Sequence, residues 1–419
     1  MIISRVLLKR ALFIFLLFGL ISTVYLVKRP ARNYSRIKSD SKLTKNKLPE
    51  LLKPYADSYH FPSDIELDLS ENNRVAANIQ YSFNTELQKN MEDVIRAYHP
   101  DYAAFVAIDP ATGRILSMVS FSKFKQVQNL ALRASFPSAS VFKVVTAAAA
   151  IEDHKVSPDT VIAFNGRKHT LYKNQILKSD VTRWTRYITL KEAFAHSINT
   201  VFGRLGAFTI GSDRLRTYAE RFGFNHKIDT DLPLQEGSAF IPNDAWGLAE
   251  SASGFTRENK MSPLQGALIA ATIANGGVMM APYAVQTVFK KDGTLLYNAE
   301  PRVNSFVIDP QTATQIRILM KETVRRGTSR GSFRGFFKKE YSLMEVGGKT
   351  GSLTGMDPPG KYDWFVGYAD SGTRRIAFAA LTIHEKVWTV KSSYLARRAI
   401  ESYFKNHHIA HKGTENNNL

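Results

Sequence analysis

The sequence predicts an α+β fold: an antiparallel sheet flanked by helices and built from both ends of the folded body, with an all-helical lobe supplied by the middle. Three observations carry this. Apolar strand-like runs joined by turn residues lie at 103–120, three more close the body after residue 343, and the helix-period segments fall between them. A single transmembrane helix is expected to precede this body.

That helix is the uncharged run of 17 residues at 11–27 (ALFIFLLFGLISTVYLV), at the lower limit for a membrane span. Lys9, Arg10, Lys28 and Arg29 flank it and can snorkel to the two surfaces. A cleaved signal peptide needs small residues at its cleavage site, whereas Val24-Tyr25-Leu26-Val27 runs straight into Lys28. The expected organisation is a cytoplasmic stub at 1–10, an anchor at 11–27, a basic tether and lead-in at 28–78, the folded body at 79–405 and a disordered tail at 406–419. Three basic residues precede the anchor and eight follow it between Lys28 and Lys47, so the positive-inside rule alone puts the body in the cytoplasm.

Within the body, 84–98 reads as a helix. The apolar strands 103–108 and 114–120 form a hairpin around Asp109-Pro110-Ala111-Thr112-Gly113. Residues 140–153 form a strongly apolar helix with an alanine face, suited to the centre of a domain. Thr189 and Glu192 are placed as a capping box opening a helix over 189–205. Further helices are expected at 263–274 and 310–325, strands at 343–352, 363–369 and 375–382, and a last helix at 393–404.

The formal net charge is +19 over 419 residues, but residues 1–48 carry eleven basic side chains against Asp40 alone. More than half of the excess therefore lies beside the membrane, which is no signature of nucleic-acid binding. The remainder suits an anionic polymer. The chain has no cysteine, which excludes disulfides, thiolate metal sites and a cysteine nucleophile. His407, His408 and His411 are spaced like metal ligands but sit in the polar tail and read as solvated; neither metal nor cofactor is expected.

Serine followed three residues later by lysine occurs at Ser35, Ser39, Ser120, Ser122, Ser140 and Ser402. Only Ser140-Val141-Phe142-Lys143 opens a buried apolar helix, where one turn puts both side chains on one face. A serine hydroxyl needs a base, and lysine is one only when neutral; burial and a second cation such as Lys349 would make it so. Ser-x-Asn recurs at Ser70, Ser82 and Ser197, and only Ser197-Ile198-Asn199 falls in a helix, where both types are poor formers. Ser197 could relay a proton and Asn199 orient substrate amides. Lys349-Thr350-Gly351 stands in the strand Val346-Gly347-Gly348-Lys349-Thr350-Gly351-Ser352, where glycine implies close approach of a ligand or another backbone. Lys349, Thr350 and Ser352 suit a carboxylate, and an edge strand there could take an extended peptide by strand addition.

The three motifs in this order resemble those of the penicillin-recognising serine acyltransferases, and the chain resembles the transpeptidase domain of the penicillin-binding proteins over roughly residues 75–405. Ser262-Pro263-Leu264-Gln265, Arg326-Gly327-Thr328 and Trp364-Phe365-Val366-Gly367-Tyr368 add to the likeness. It resembles a monofunctional class B-type member without the pedestal domain.

The resemblance implies the penicillin-binding fold and a D,D-transpeptidase acting on D-Ala-D-Ala stem peptides. It also implies covalent inhibition by β-lactams, single-pass anchorage in the cytoplasmic membrane with an extracytoplasmic active site, and membership of a cell-wall synthesis complex. It makes Ser140 the nucleophile, Lys143 its base, Ser197 the proton relay and Asn199 a substrate ligand. Lys349, Thr350, Gly351 and Ser352 then hold the carboxylate, and the N–H groups of Ser140 and Ser352 form the oxyanion hole. A D,D-carboxypeptidase differs only in taking water as acceptor. A β-lactamase would need a further base, with Glu220, Glu236 and Glu250 as candidates, and a β-lactam sensor would need an output domain. Gly327-Thr328-Ser329-Arg330-Gly331 fits the nucleophile-elbow pattern but lacks its strand-to-helix setting.

Overall fold

A computed structural model of the protein describes residues 43–415 apart from 57, 59–60, 71–72, 125–128, 179 and 339–340. The expected anchor at 11–27 and the tether up to residue 42 lie outside the described residues, as do the side chains of His407, His408 and His411. Among the described residues no helix is long and apolar enough to cross a membrane.

Strands β1 (Asp64–Ser70) and β2 (Asn73–Tyr81) bury Ile65, Leu67, Ala77 and Ile79 on one face, the period-two pattern of a half-covered sheet. Helix α1 (Thr85–Tyr98) follows, with the Asn84 side chain accepting from the Leu87 N–H at 2.9 Å. The hairpin β3 (Tyr102–Ile108) and β4 (Ile115–Ser122) turns as expected: the Gly113 N–H donates to the Asp109 carbonyl at 2.9 Å, and Gly113 takes the left-handed φ of 78°. The middle of the chain supplies α2 (Lys143–Glu152), α3 (Leu190–Ala195), α4 (Asn199–Arg204), α5 (Ala245–Ser253) and α6 (Pro263–Ala274). Beyond them lie β5 (Val285–Lys290), β6 (Leu295–Asn298) and α7 (Pro310–Arg325), then β7 (Glu345–Met356), β8 (Pro359–Asp370), β9 (Arg375–His384) and α8 (Ser392–Glu415).

The main sheet is antiparallel in the order β7-β8-β9-β3-β4, joined across the chain where Ala379 pairs with Val106. Its faces alternate between two cores. Ala104, Val106, Trp364, Val366 and Leu381 pack with α2 and α6; Phe105, Phe365 and Phe378 pack with α1 and α8. Burial on both faces explains why these strands read as continuous apolar runs rather than alternating ones. Every residue of α6 is buried.

Three expectations change. The lead-in at 28–78 is not all tether: from Leu43 onward it folds, with Leu43, Leu48 and Leu52 in the main core and β1-β2 joined to β5-β6 in a second, four-stranded sheet. The expected helix 189–205 is two helices broken at His196–Ile198, because Ser197 takes a left-handed φ of 54° that α-helix cannot continue through. The last helix runs to Glu415, well into the tail expected to be disordered.

Candidate active site

The nucleophile motif sits where three elements converge. Ser140 lies in a 3₁₀ turn, Ala139–Phe142, that leads into α2. The turn is held from behind: the Trp364 indole N–H donates to the Pro137 carbonyl at 2.9 Å, and the Ser138 N–H donates to Asn259 O at 2.7 Å. Gly254, capping α5, lets that helix end against the turn; a Cβ there would lie 1.9 Å from Ala139 O. Gly351 on β7 does the same from the sheet, since its Cβ would meet Val141 Cγ2 at 3.2 Å. Gly347 and Gly348 instead admit the Tyr368 and Phe365 rings of β8. Close approach thus accounts for the glycines expected to mark it, and the neighbour is protein in each case.

The break between α3 and α4 presents the second motif. Its geometry is fixed by the Thr189–Glu192 capping box on one side and by the Asn199 N–H donating to Lys168 O at 3.1 Å on the other. The Asn199 amide also donates to the His169 carbonyl at 2.9 Å, which leaves its Oδ1 facing Lys143.

The polar side chains form two linked centres. Lys143 Nζ lies 2.8 Å from Ser140 Oγ and 2.8 Å from Asn199 Oδ1, and contacts the Ser253 carbonyl. Lys349 Nζ lies 2.9 Å from Ser197 Oγ and 2.9 Å from Thr350 O. Both lysines are fully buried, and no carboxylate pairs with either among the described residues. Burial, and after it the Lys349 charge, hold Lys143 well below the usual lysine range. Burial brings Lys349 down to about 7.

The centres open into a cavity of about 500 Å³ that Ser140, Ser197, Asn199, Thr350, Gly351 and Ser352 all line. The structure therefore gathers all eight expected site residues, six lining the cavity and the two lysines bonded to Ser140 and Ser197 behind that lining. The cavity also exposes residues to which sequence reasoning gave no role. Thr328 Oγ1 lies 2.5 Å from Thr350 Oγ1. Its only signal was the Arg326-Gly327-Thr328 stretch. His169 and Asp363 had none. Burial pushes Asp363 up to about 6, and its carboxylate accepts from the Ser392 N–H at 2.7 Å. Ser329, the serine of the elbow-like pattern, is buried and donates to Thr323 O, so it is no nucleophile. His196 does not line the cavity, and among the described residues no cluster of three metal-ligating side chains occurs.

A half-buried serine against a buried lysine, a second buried lysine on an edge strand and an antiparallel sheet covered by helices on both faces are the arrangement expected of a lysine-dependent serine acyltransferase fold. The chain belongs to the penicillin-binding protein transpeptidase-domain family, whose model matches residues 103–402. It is 29% identical over 318 residues to the peptidoglycan D,D-transpeptidase PbpA of Mycolicibacterium smegmatis, covering 67% of this chain and 62% of that protein's length. Among solved structures it resembles the D,D-transpeptidase domain of a peptidoglycan glycosyltransferase from Eggerthella lenta (TM-score 0.65, 26% identity, covering 79% of this chain and 84% of that one). It also resembles the imipenem acyl-enzyme of penicillin-binding protein A from M. tuberculosis (TM-score 0.63, 25% identity, covering 78% and 80%).

Proposed function

We propose that the chain is a serine-type D,D-transpeptidase of peptidoglycan, acylated on Ser140 by a D-Ala-D-Ala stem peptide or by a β-lactam. The observation that carries this is the Lys143 environment. Two of its three partners, Asn199 Oδ1 and Ser253 O, only accept hydrogen bonds, and they use both N–H groups of a neutral amine. The remaining lone pair faces the Ser140 hydroxyl at 2.8 Å, the arrangement a general base requires.

Ser140 Oγ attacks the penultimate carbonyl while Lys143 takes its proton. The Ser140 and Ser352 N–H groups receive the oxyanion. Ser197 passes the proton to the departing D-Ala amine, Asn199 aligns the peptide amide, and Lys349 with Thr350, Gly351 and Ser352 holds the terminal carboxylate. Among the described residues Asp363 is the one carboxylate lining the cavity, and it is engaged by Ser392; Glu220, Glu236 and Glu250 do not line it. This supports a long-lived acyl-enzyme over a β-lactamase. The substrate is extracytoplasmic, so the segment 11–27 is read as an anchor with the body outside, against its flanking charges.

The test is to incubate the protein with benzylpenicillin and with a stem pentapeptide, with and without an amine acceptor. Mass spectrometry should find the adduct on Ser140 and a cross-linked product. An unchanged adduct in Ser140→Ala sinks the assignment, and tetrapeptide alone favours the carboxypeptidase. Protease accessibility of the body in spheroplasts tests the orientation.

A further inference from the structure

The active-site cavity does not end at Thr350. Thr328 and Lys391, which line it, also line a neighbouring cavity of about 400 Å³ that passes Ser332 and Tyr394. Gly331 joins that cavity to a third, of about 580 Å³, walled by Arg325, Arg330 and Arg334 over Phe333 and Phe337. None of these three arginines has a carboxylate partner among the described residues, whereas their neighbour Arg326 pairs with Glu322. Arg325 ends α7, and the loop bearing Arg330 and Arg334 is held in place. Arg397 donates to the Ser332 and Arg334 carbonyls at 3.1 and 3.2 Å and is itself tied to Glu401, and Ser332 Oγ lies 2.7 Å from Ser393 Oγ. The groove therefore ends in unpaired, prearranged positive charge.

Chemistry says which reactant approaches this way. In the proposed reaction D-Ala leaves as an amine from the side of the acyl carbonyl that faces Lys349, Thr350 and Thr328. By microscopic reversibility the acceptor amine must enter from that same side. We propose that this groove is the acceptor site, and that Arg330 and Arg334 bind a carboxylate on the acceptor stem. The acceptor nitrogen attacks the ester carbon, the C–N amide bond forms and the bond to Ser140 Oγ breaks. The proton lost by nitrogen returns to Ser140 through Ser197 and Lys143. This inference rests on the transpeptidase reading and adds where the second substrate lies.

The full chain, supplied with a D-Ala-D-Ala donor peptide, is titrated with two acceptors. One is N-acetylated L-Ala-γ-D-Glu-L-Lys, with the lysine amine and both carboxylates free; the other is the same tripeptide with both carboxylates amidated. The Arg330→Ala/Arg334→Ala variant should raise the half-saturating concentration of the free-carboxylate acceptor about tenfold or more. The amidated acceptor should be unaffected, as should acylation by benzylpenicillin. Arg330→Lys/Arg334→Lys should keep most of the preference. Acylation followed only by hydrolysis in the unaltered protein overturns the transpeptidase reading, and the acceptor site with it. Cross-linking that ignores both amidation and the arginine substitutions, or a parallel loss with both acceptors, overturns the acceptor site alone.

Discussion

Burial lowers both Lys143 and Lys349, and the Lys349 charge lowers Lys143 further. With the proposed roles, acylation requires Lys143 neutral and Lys349 charged toward the carboxylate. The rate of benzylpenicillin acylation should therefore follow a bell, rising with pH as Lys143 sheds its proton and falling above about 7 as Lys349 loses its own. A stopped-flow pH series checks this, and a rate flat across pH 5–9 would contradict it. Asn199→Asp should set a carboxylate against Lys143, raise its pKa and move the acid limb to higher pH, with a loss of at least about tenfold at pH 7. At this scale the placement of the motif residues was legible, because residue type and spacing single out the side chains that the fold brings together. Thr328 escaped because its role lies in a hydroxyl-to-hydroxyl contact with a residue 22 positions away.

Elements were legible where a local signal fixes their ends. Helices α6 and α7 run over the expected residues because Pro263 and Pro310 open them at the first turn. The α3–α4 break was not legible, since apolar periodicity continues through Phe194, Ile198, Val201 and Phe202 and no pattern announces a left-handed serine. That conformation separates two functions of one residue. Ser197→Gly keeps the positive φ and loses the hydroxyl, so it should melt within a few degrees of the unaltered protein yet transfer the acyl group at least about tenfold more slowly. Ser197→Val should lose both activity and stability. At the other support of the nucleophile turn, Gly254→Ala should cost roughly 2 kcal/mol or more in chemical denaturation and slow acylation, because its methyl group meets Ala139 O. Strands β1 and β2 were missed for a different reason: charged and polar residues alternate with Ile65 and Leu67, and an average over the segment reads as linker.

For the whole molecule, the site is a cost. A lysine whose folded pKa is about 7, against an ordinary 10.5, binds fewer protons in the native than in the unfolded state between those values. Stability should thus rise with pH across that window, and the full penalty is present below it. Lys349→Met removes the penalty, so at pH 7 it should raise the thermal midpoint by roughly 2 °C or more while abolishing acylation. Calorimetry of both proteins from pH 6 to 10 should show the difference shrinking as pH rises. The pairing of Val106 with Ala379 has another consequence, which belongs to biosynthesis. The nucleophile turn is made early, but β7, which packs on that turn through Gly351 and carries Lys349, is made late. At about 5–20 residues per second the stretch from Ser140 to Lys349 takes roughly 10–42 s. A chain still being made therefore lacks the second lysine, and the proposed chemistry has to wait until β7 has been made and packed against the nucleophile turn.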